Sequence, residues 1–397
     1  AAVAAAAFAS SAVAVEFFGY ARAGLSSNVN SGGEQTCFGN GANGHYVGRL
    51  ADECDTYAEI GIGEELFAQD GKSFRIDSMI AYGANLQGND YQAFNGANDV
   101  SGVNVELDPV TNLPVTTVTR NNSDPYGGGE VALRQLYVSG KGVVEALPGA
   151  TLWAGKRFYQ RHDVHQLDLF YVNNSGYGGG IENIQMGAGK FSLAWLNSDK
   201  RENDENIVQN NKFDVRYAFP IGSNNLFFSA ELASEFMGGF NKFVLQYATD
   251  SLGESAFANH GSGVSLNAPY YAGTLEESWR VLNHGVIKLG GGWDLGYSAL
   301  YAQGDTYDVI NQESPERLSV VVRPVFNWTP FSSPTFELGY ADEHQPFSDD
   351  STELQKIAIA QQWSAGPGYW ARPVIRAYVA SFFGDQAESA RGGEGVD

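Results

Sequence analysis

Methionine is nearly missing from this chain, with 3 in 397 residues, whereas Gly 48, Tyr 20 and Phe 24 are plentiful. That balance favours turns and strands over helices. Positive charge is also short, with 24 Lys and Arg against 46 Asp and Glu and a net charge of −22. The deficit argues against nucleic acid as a partner, because phosphate binding needs a basic face, and it suits a secreted or outer-membrane surface. Beyond residue 14 no run of 18 apolar residues occurs, which excludes a membrane-spanning helix. No low-complexity linker divides the chain, so the usual expectation of several domains at this length gives way to one. No cofactor is implied, and no metal set is complete: His162 and His165 stand at i, i+3 without a third ligand.

Residues 1–14, AAVAAAAFASSAVA, are small and apolar and end in Ala12-Val13-Ala14. They read as the tail of a secretory signal peptide, with a short Ala-rich helix as the competing reading. Residues 15–397 are then one exported domain, either soluble or a β-barrel. The two cysteines, Cys37 and Cys54, are separated by sixteen residues rich in Gly and Asn. In an oxidising compartment they are expected to close a disulfide of about 3 kcal/mol in the chain-entropy model.

Period-two alternation recurs from Val15–Leu25 onward, at Tyr57–Glu65, Ser73–Tyr82, Gly189–Leu196, Phe213–Phe219, Leu226–Leu232, Phe240–Ala248, Trp293–Tyr301, Leu318–Trp328, Thr335–Tyr340, Leu354–Gln361 and Pro373–Phe382. One face of each is apolar or aromatic, and the other carries Asp, Arg, Ser, Gln or Gly. A transmembrane barrel and a soluble sandwich share this rhythm and differ in which face points inward. Connection lengths favour the barrel. Tight turns at Pro220–Asn225 and Pro330–Pro334 alternate with long polar segments at Asn85–Glu130, Asn197–Asn211 and Asp250–Ser278. The sequence stops at GGEGVD without a final alternating strand, so a barrel one strand short, open beside its first strand, is expected.

The densest mixture of both charges with aromatics lies between Leu147 and Tyr171, LPGATLWAGKRFYQRHDVHQLDLFY. Such a cluster is costly in a dry core and suits a water-filled passage facing a polar solute. Its central WAGKRFYQRHDVH resembles the constriction-loop segment of the maltoporins, the sugar-specific outer-membrane channels of Gram-negative bacteria. VEFFGYARAG (15–24), GEQTCF (33–38), ECDTYAEI (53–60), GFNKFVLQYATDS (239–251) and QQWSAGPGYWARPVIR (361–376) extend the resemblance along most of the chain.

The resemblance implies an all-β transmembrane antiparallel β-barrel of about eighteen strands, one short here, with a long loop folded into its lumen. It implies passage of maltose and maltodextrins, a homotrimer in outer-membrane lipid, and a possible role as phage receptor. An aromatic rail maps to Tyr20, Tyr57, Tyr91, Phe240 and Trp370. A polar track maps to Arg22, Arg49, Glu59, Arg134, Arg161, Asp163 and Asp168, with Phe170 where maltoporins commonly place Tyr. The physical logic is that sugar ring faces lie on aromatic planes while hydroxyls bond to charged groups. Each contact stays weak enough to release its solute. For each aromatic, a lipid-facing girdle position is the alternative. Two other functions compete: a sucrose-type or less selective carbohydrate porin, suggested by Phe170, and a secreted glycoside hydrolase using Asp163 and Asp168 as its acid–base pair.

Overall fold

The computed structural model describes residues 15–29, 38, 45–52, 56–84, 93–94, 100–107, 114–120, 128–159, 162–171, 175–186, 189–203, 206–216, 227–249, 275–306, 315–344 and 351–390. These described residues fall into two compact units, one drawn from the ranges 1–25 and 54–157 and the other from 26–53 and 158–397.

The first unit holds β1 (Glu16–Arg22), β2 (Thr56–Gln69), β3 (Lys72–Ala84), β4 (Ala93–Phe94), β5 (Val100–Leu107), β6 (Pro114–Arg120), β7 (Gly128–Lys141) and β8 (Thr151–Arg157). Its sheet runs β1-β2-β3-β7-β8, all antiparallel, with β4 beside the start of β7 and β5 paired to β6. The exposed face of β2 and β3 carries Ile60, Ile62, Phe67, Phe74 and Ile80, while Glu59 and Asp77 are buried.

The second unit opens with a 3-10 turn at His45–Val47 and the hairpin β9 (His162–Val164) and β10 (Leu169–Tyr171). A meander of β11 (Gly176–Met186), β12 (Gly189–Asn203) and β13 (Asn206–Arg216) follows. Eight antiparallel strands then run in sequence order: β14 (Phe227–Phe236), β15 (Gly239–Thr249), β16 (Leu275–Gly290), β17 (Trp293–Thr306), β18 (Glu316–Phe326), β19 (Ser332–His344), β20 (Ser351–Ser364) and β21 (Val374–Phe383). A short helix, α1 (Asp385–Ala390), ends the described chain. Strands of ten or more residues are long enough to cross a hydrocarbon layer of about 30 Å at a tilt.

The orientation that periodicity left open is visible in β18–β20. Leu318, Val320, Phe336, Leu338, Ile357, Ile359 and Trp363 are exposed, whereas Arg317, Arg323, Glu337, Glu343, Lys356 and Gln362 are buried. A soluble sandwich reverses that assignment, since charged side chains are almost never fully buried and large apolar faces are not left bare. The side chains of Phe213, Val215 and Tyr217, where the alternation is clearest in sequence, lie outside the described residues, as do residues 1–14, Cys37, Cys54, Tyr91 and Arg161.

Three long loops read from the sequence need correction. Asn197–Asn211 is a hairpin: β12 and β13 stay paired from Ser192↔Arg216 out to Asn203↔Asn206. The paired residues are mostly polar in sequence, which is why the segment reads as a loop. Asn85–Glu130 contains β4, β5, β6 and the opening of β7, and Asp250–Ser278 ends inside β16. The alternation of β7 was hidden by a bulge. The β3 register passes from Met79↔Gln135 to Ile80↔Leu133, leaving Arg134 as the extra residue. Val131 and Leu133 before it, and Leu136 and Val138 after it, are all exposed, in opposite sequence phase.

The buried face of the second unit is covered by chain rather than left empty. Tyr46 and Val47, with Val164, Leu167 and Leu169 of the hairpin, share a cluster with Leu282, Leu300, Ala302, Val321, Ala341 and Leu354 from the strands. Gly339 makes this approach possible: a Cβ there would overlap the Val47 backbone.

Candidate functional site

Each unit gathers its own group of the predicted residues. In the first, the antiparallel register sets Tyr20 opposite Glu59 and Arg22 opposite Tyr57 on one face of β1 and β2. The Tyr20 and Tyr57 rings lie 6.3 Å apart, the Arg22 guanidinium sits 5.4 Å from the Tyr57 ring centre, and the Tyr57 hydroxyl donates to Glu59 at 2.7 Å. Two aromatic faces with a cation and an anion at their edges therefore come from two adjacent strands. Arg134 sits apart from them at the β7 bulge, a device that re-aims a side chain.

The second group is built on a row of β15–β18, in which Phe240 pairs with Val286, Val286 with Gly296, and Gly296 with Arg323. Gly296 is a slot in this floor: a Cβ there would strike the Tyr369 ring and the Gln166 amide. Tyr369 fills the slot and takes Trp370 with it. The 365–373 turn is tied down because Asp294 Oδ2 accepts the Tyr369 N–H at 3.0 Å and Asn327 Oδ1 accepts the Gly368 N–H at 2.8 Å. Trp370, 50% exposed, stacks toward Phe240 with centroids 6.5 Å apart and planes 25° from parallel.

The β9–β10 hairpin supplies the ionic side of this group. Phe170 pairs across it with Asp163, and the turn between the strands holds His165 and Asp168. Asp168 takes a positive φ of 52°, which Asp tolerates better than most residues. Arg49 reaches Asp168 at 3.4 Å, and its own backbone N–H donates to Gln166 O at 2.9 Å. Asp163 is partly exposed and lies 3.8 Å from His165 Nδ1.

His165, set aside in the sequence for want of a third metal ligand, is central to the group. Its ring lies 5.1 Å from Trp370, and its Nε2 is 3.1 Å from Arg372 Nη2. Arg372 can only donate, so Nε2 accepts and the Nδ1 proton faces Asp163. Burial holds the imidazole below its ordinary 6.5; Asp163 opposes this, and Arg49 and Arg323 reinforce it. Below that pH the unfolded chain takes up a proton that the folded site resists, so stability falls as acid is added and gains nothing above it. A pH series of urea midpoints should therefore slope downward below about pH 6.5. His165→Gln should flatten that part of the curve, and an unchanged slope would count against the assignment.

Tyr369, Arg323, Asp294 and Asn327 were not singled out in the sequence. They act by holding others in place, and their signal is long-range pairing that no local pattern carries. Neither group presents a metal cluster among the described residues. Asp168, one half of the acid–base pair considered from sequence, is ion-paired to Arg49.

A family model described as LamB porin matches residues 15–397. The maltoporin of Hahella chejuensis is 36% identical over an alignment of 423 residues, which takes in 99% of this chain and 92% of that protein. Among solved structures, the outer-membrane protein OmpT of Vibrio cholerae aligns with 94% of this chain and 89% of its own, at 8% identity and a TM-score of 0.39. OpdK of Pseudomonas aeruginosa with vanillate aligns with 83% of this chain and 88% of its own, at 10% identity and a TM-score of 0.41. Likenesses that loose bear on neither function nor fold.

Proposed function

Since the chain belongs to the LamB porin family, and so to the β-barrel channels of the Gram-negative outer membrane rather than to enzymes, we propose that it passes maltose and maltodextrins by facilitated diffusion. The observation that carries this reading is the Phe240–Trp370 stack with the Arg49–Asp168 pair and Asp163 in the same unit. A half-exposed indole offers a plane to a sugar ring, while carboxylates and guanidinium offer acceptors and donors to hydroxyls. Tyr20, Tyr57, Arg22 and Glu59 repeat the combination on β1 and β2. Tyr91, Arg134 and Arg161 are proposed as further sugar contacts, Cys37 and Cys54 as a disulfide, residues 1–14 as a signal-peptide remnant, and the assembly as a homotrimer.

A sucrose-type porin is the second reading, favoured by Phe170. Lacking a hydroxyl, it sets an apolar ring across the hairpin from Asp163. Current block in planar bilayers separates the two. Maltohexaose should interrupt the ion current at micromolar to millimolar concentration and sucrose far less, with Phe170→Tyr shifting the maltohexaose curve. Block by sucrose alone would favour the second reading, and no block by either sugar would remove both. A Phe170→Tyr curve that overlays the parent's would discard the role given to Phe170.

A further inference from the structure

Lys356 and Glu337 are 0% exposed at their side chains, so neither can touch a solute. They nevertheless grip the chain on both sides of Arg49. Lys356 Nζ donates to the carbonyls of Gly48 and Leu50, the residues flanking Arg49, the second at 3.0 Å. Glu337 Oε1 lies 2.8 Å from that ammonium and accepts the Leu50 N–H at 2.9 Å. Its other oxygen accepts from Arg323 at 2.5 Å. One strand over, Ser319 Oγ donates to Tyr46 O at 2.5 Å, and Gly339 leaves room for the Val47 backbone. Residues 46–50 are thus fixed to β18–β20 by their backbone, while the Arg49 side chain and N–H point the other way, to Asp168 and Gln166 of the hairpin turn.

We infer that Lys356 and Glu337 are positioning residues for the channel: they clamp the backbone around Arg49 and so set where the guanidinium stands against the β9–β10 hairpin. A lysine has three donors, and here two carbonyls and one carboxylate take them. That arrangement offsets the cost of burying the ammonium and spends its directionality on Arg49's neighbours. The inference builds on the sugar-channel reading for its solute, but not for its effect on ion flow.

The test is a double-mutant cycle. Lys356→Met should change single-channel conductance and weaken maltohexaose block about 3- to 10-fold, the scale of one ordinary hydrogen bond lost. In an Arg49→Ala background the same substitution should add less than about 2-fold, because the residue it positions is already gone. Gly339→Ala displaces the Val47 backbone with every charge intact and should give the same pair of results. It is the variant to read if Lys356→Met fails to reach the folded, heat-modifiable form. Equal effects of Lys356→Met with and without Arg49, or none in a folded channel, would overturn the inference. If the parent protein shows no sugar block, the sugar reading fails and the conductance arm of the cycle still decides this one.

Discussion

Glu343→Leu should destabilise the second unit by about 3–5 kcal/mol, read as a drop in the urea midpoint of the detergent-folded protein. Arg317 is fully buried, with its Nη2 at 2.5 Å from Glu343 Oε2 and its guanidinium 4.1 Å from the centre of the Tyr46 ring. Across the sheet its row reads Gln246, Arg280, Ala302, Arg317, Glu343, Thr352. Glu343 is the one carboxylate in a row that also holds two buried arginines; Arg280 is bonded to Gln246, and Arg317 is paired with Glu343. Taking it away strands a cation where water is scarce. Arg317→Met with Glu343→Leu should recover most of the loss, since replacing both members of a buried pair by apolar groups is often neutral. A single variant as stable as the parent would mean that this interior is wetter than the packing of Tyr46 and Arg317 implies.

The same row shows what could be read from sequence and what could not. In β18–β20 the alternation of apolar and polar positions is nearly unbroken, and the strands lie close to where it placed them. Which face is inside depends on what surrounds the sheet, and that is absent from a string of residues. It emerges only when Ile357 and Ile359 are found exposed beside buried Lys356. β16 escaped notice because Leu282 points to the buried face among Arg280 and His284, so its two faces differ little in polarity. β7 escaped because one bulged residue reversed its phase. The site divides likewise. Tyr20, Tyr57, Arg22 and Glu59 are within a few positions of one another on paired strands, and motif resemblance finds them. The hold of Asp294, Asn327 and Gly296 on Gly368 and Tyr369 joins β17, the end of β18 and the turn after β20, residues tens of positions apart, which no local motif encodes.

Phe240→Ala combined with Trp370→Ala should weaken maltohexaose block by about 5- to 150-fold. Each aromatic contact contributes about 0.5–1.5 kcal/mol beyond area burial, and about 1.4 kcal/mol corresponds to tenfold. The effect should fall mainly on the rate at which sugar leaves, as most affinity changes at a fixed site do. Open-channel conductance should rise, because two rings that narrow the path are gone. Trp363→Ala is the control: Trp363 lies on the exposed apolar face of β20, opposite in phase to Gln362 and Ser364. It is a girdle position facing lipid, and its loss should leave block unchanged. His165→Ala should show part of the double variant's effect, since the imidazole lies against Trp370 and its removal frees the indole to turn. Were Trp363→Ala to weaken block as much as the double variant, the aromatic stack would be one more girdle feature, and the solute path would have to be sought on β1 and β2 around Tyr20 and Tyr57.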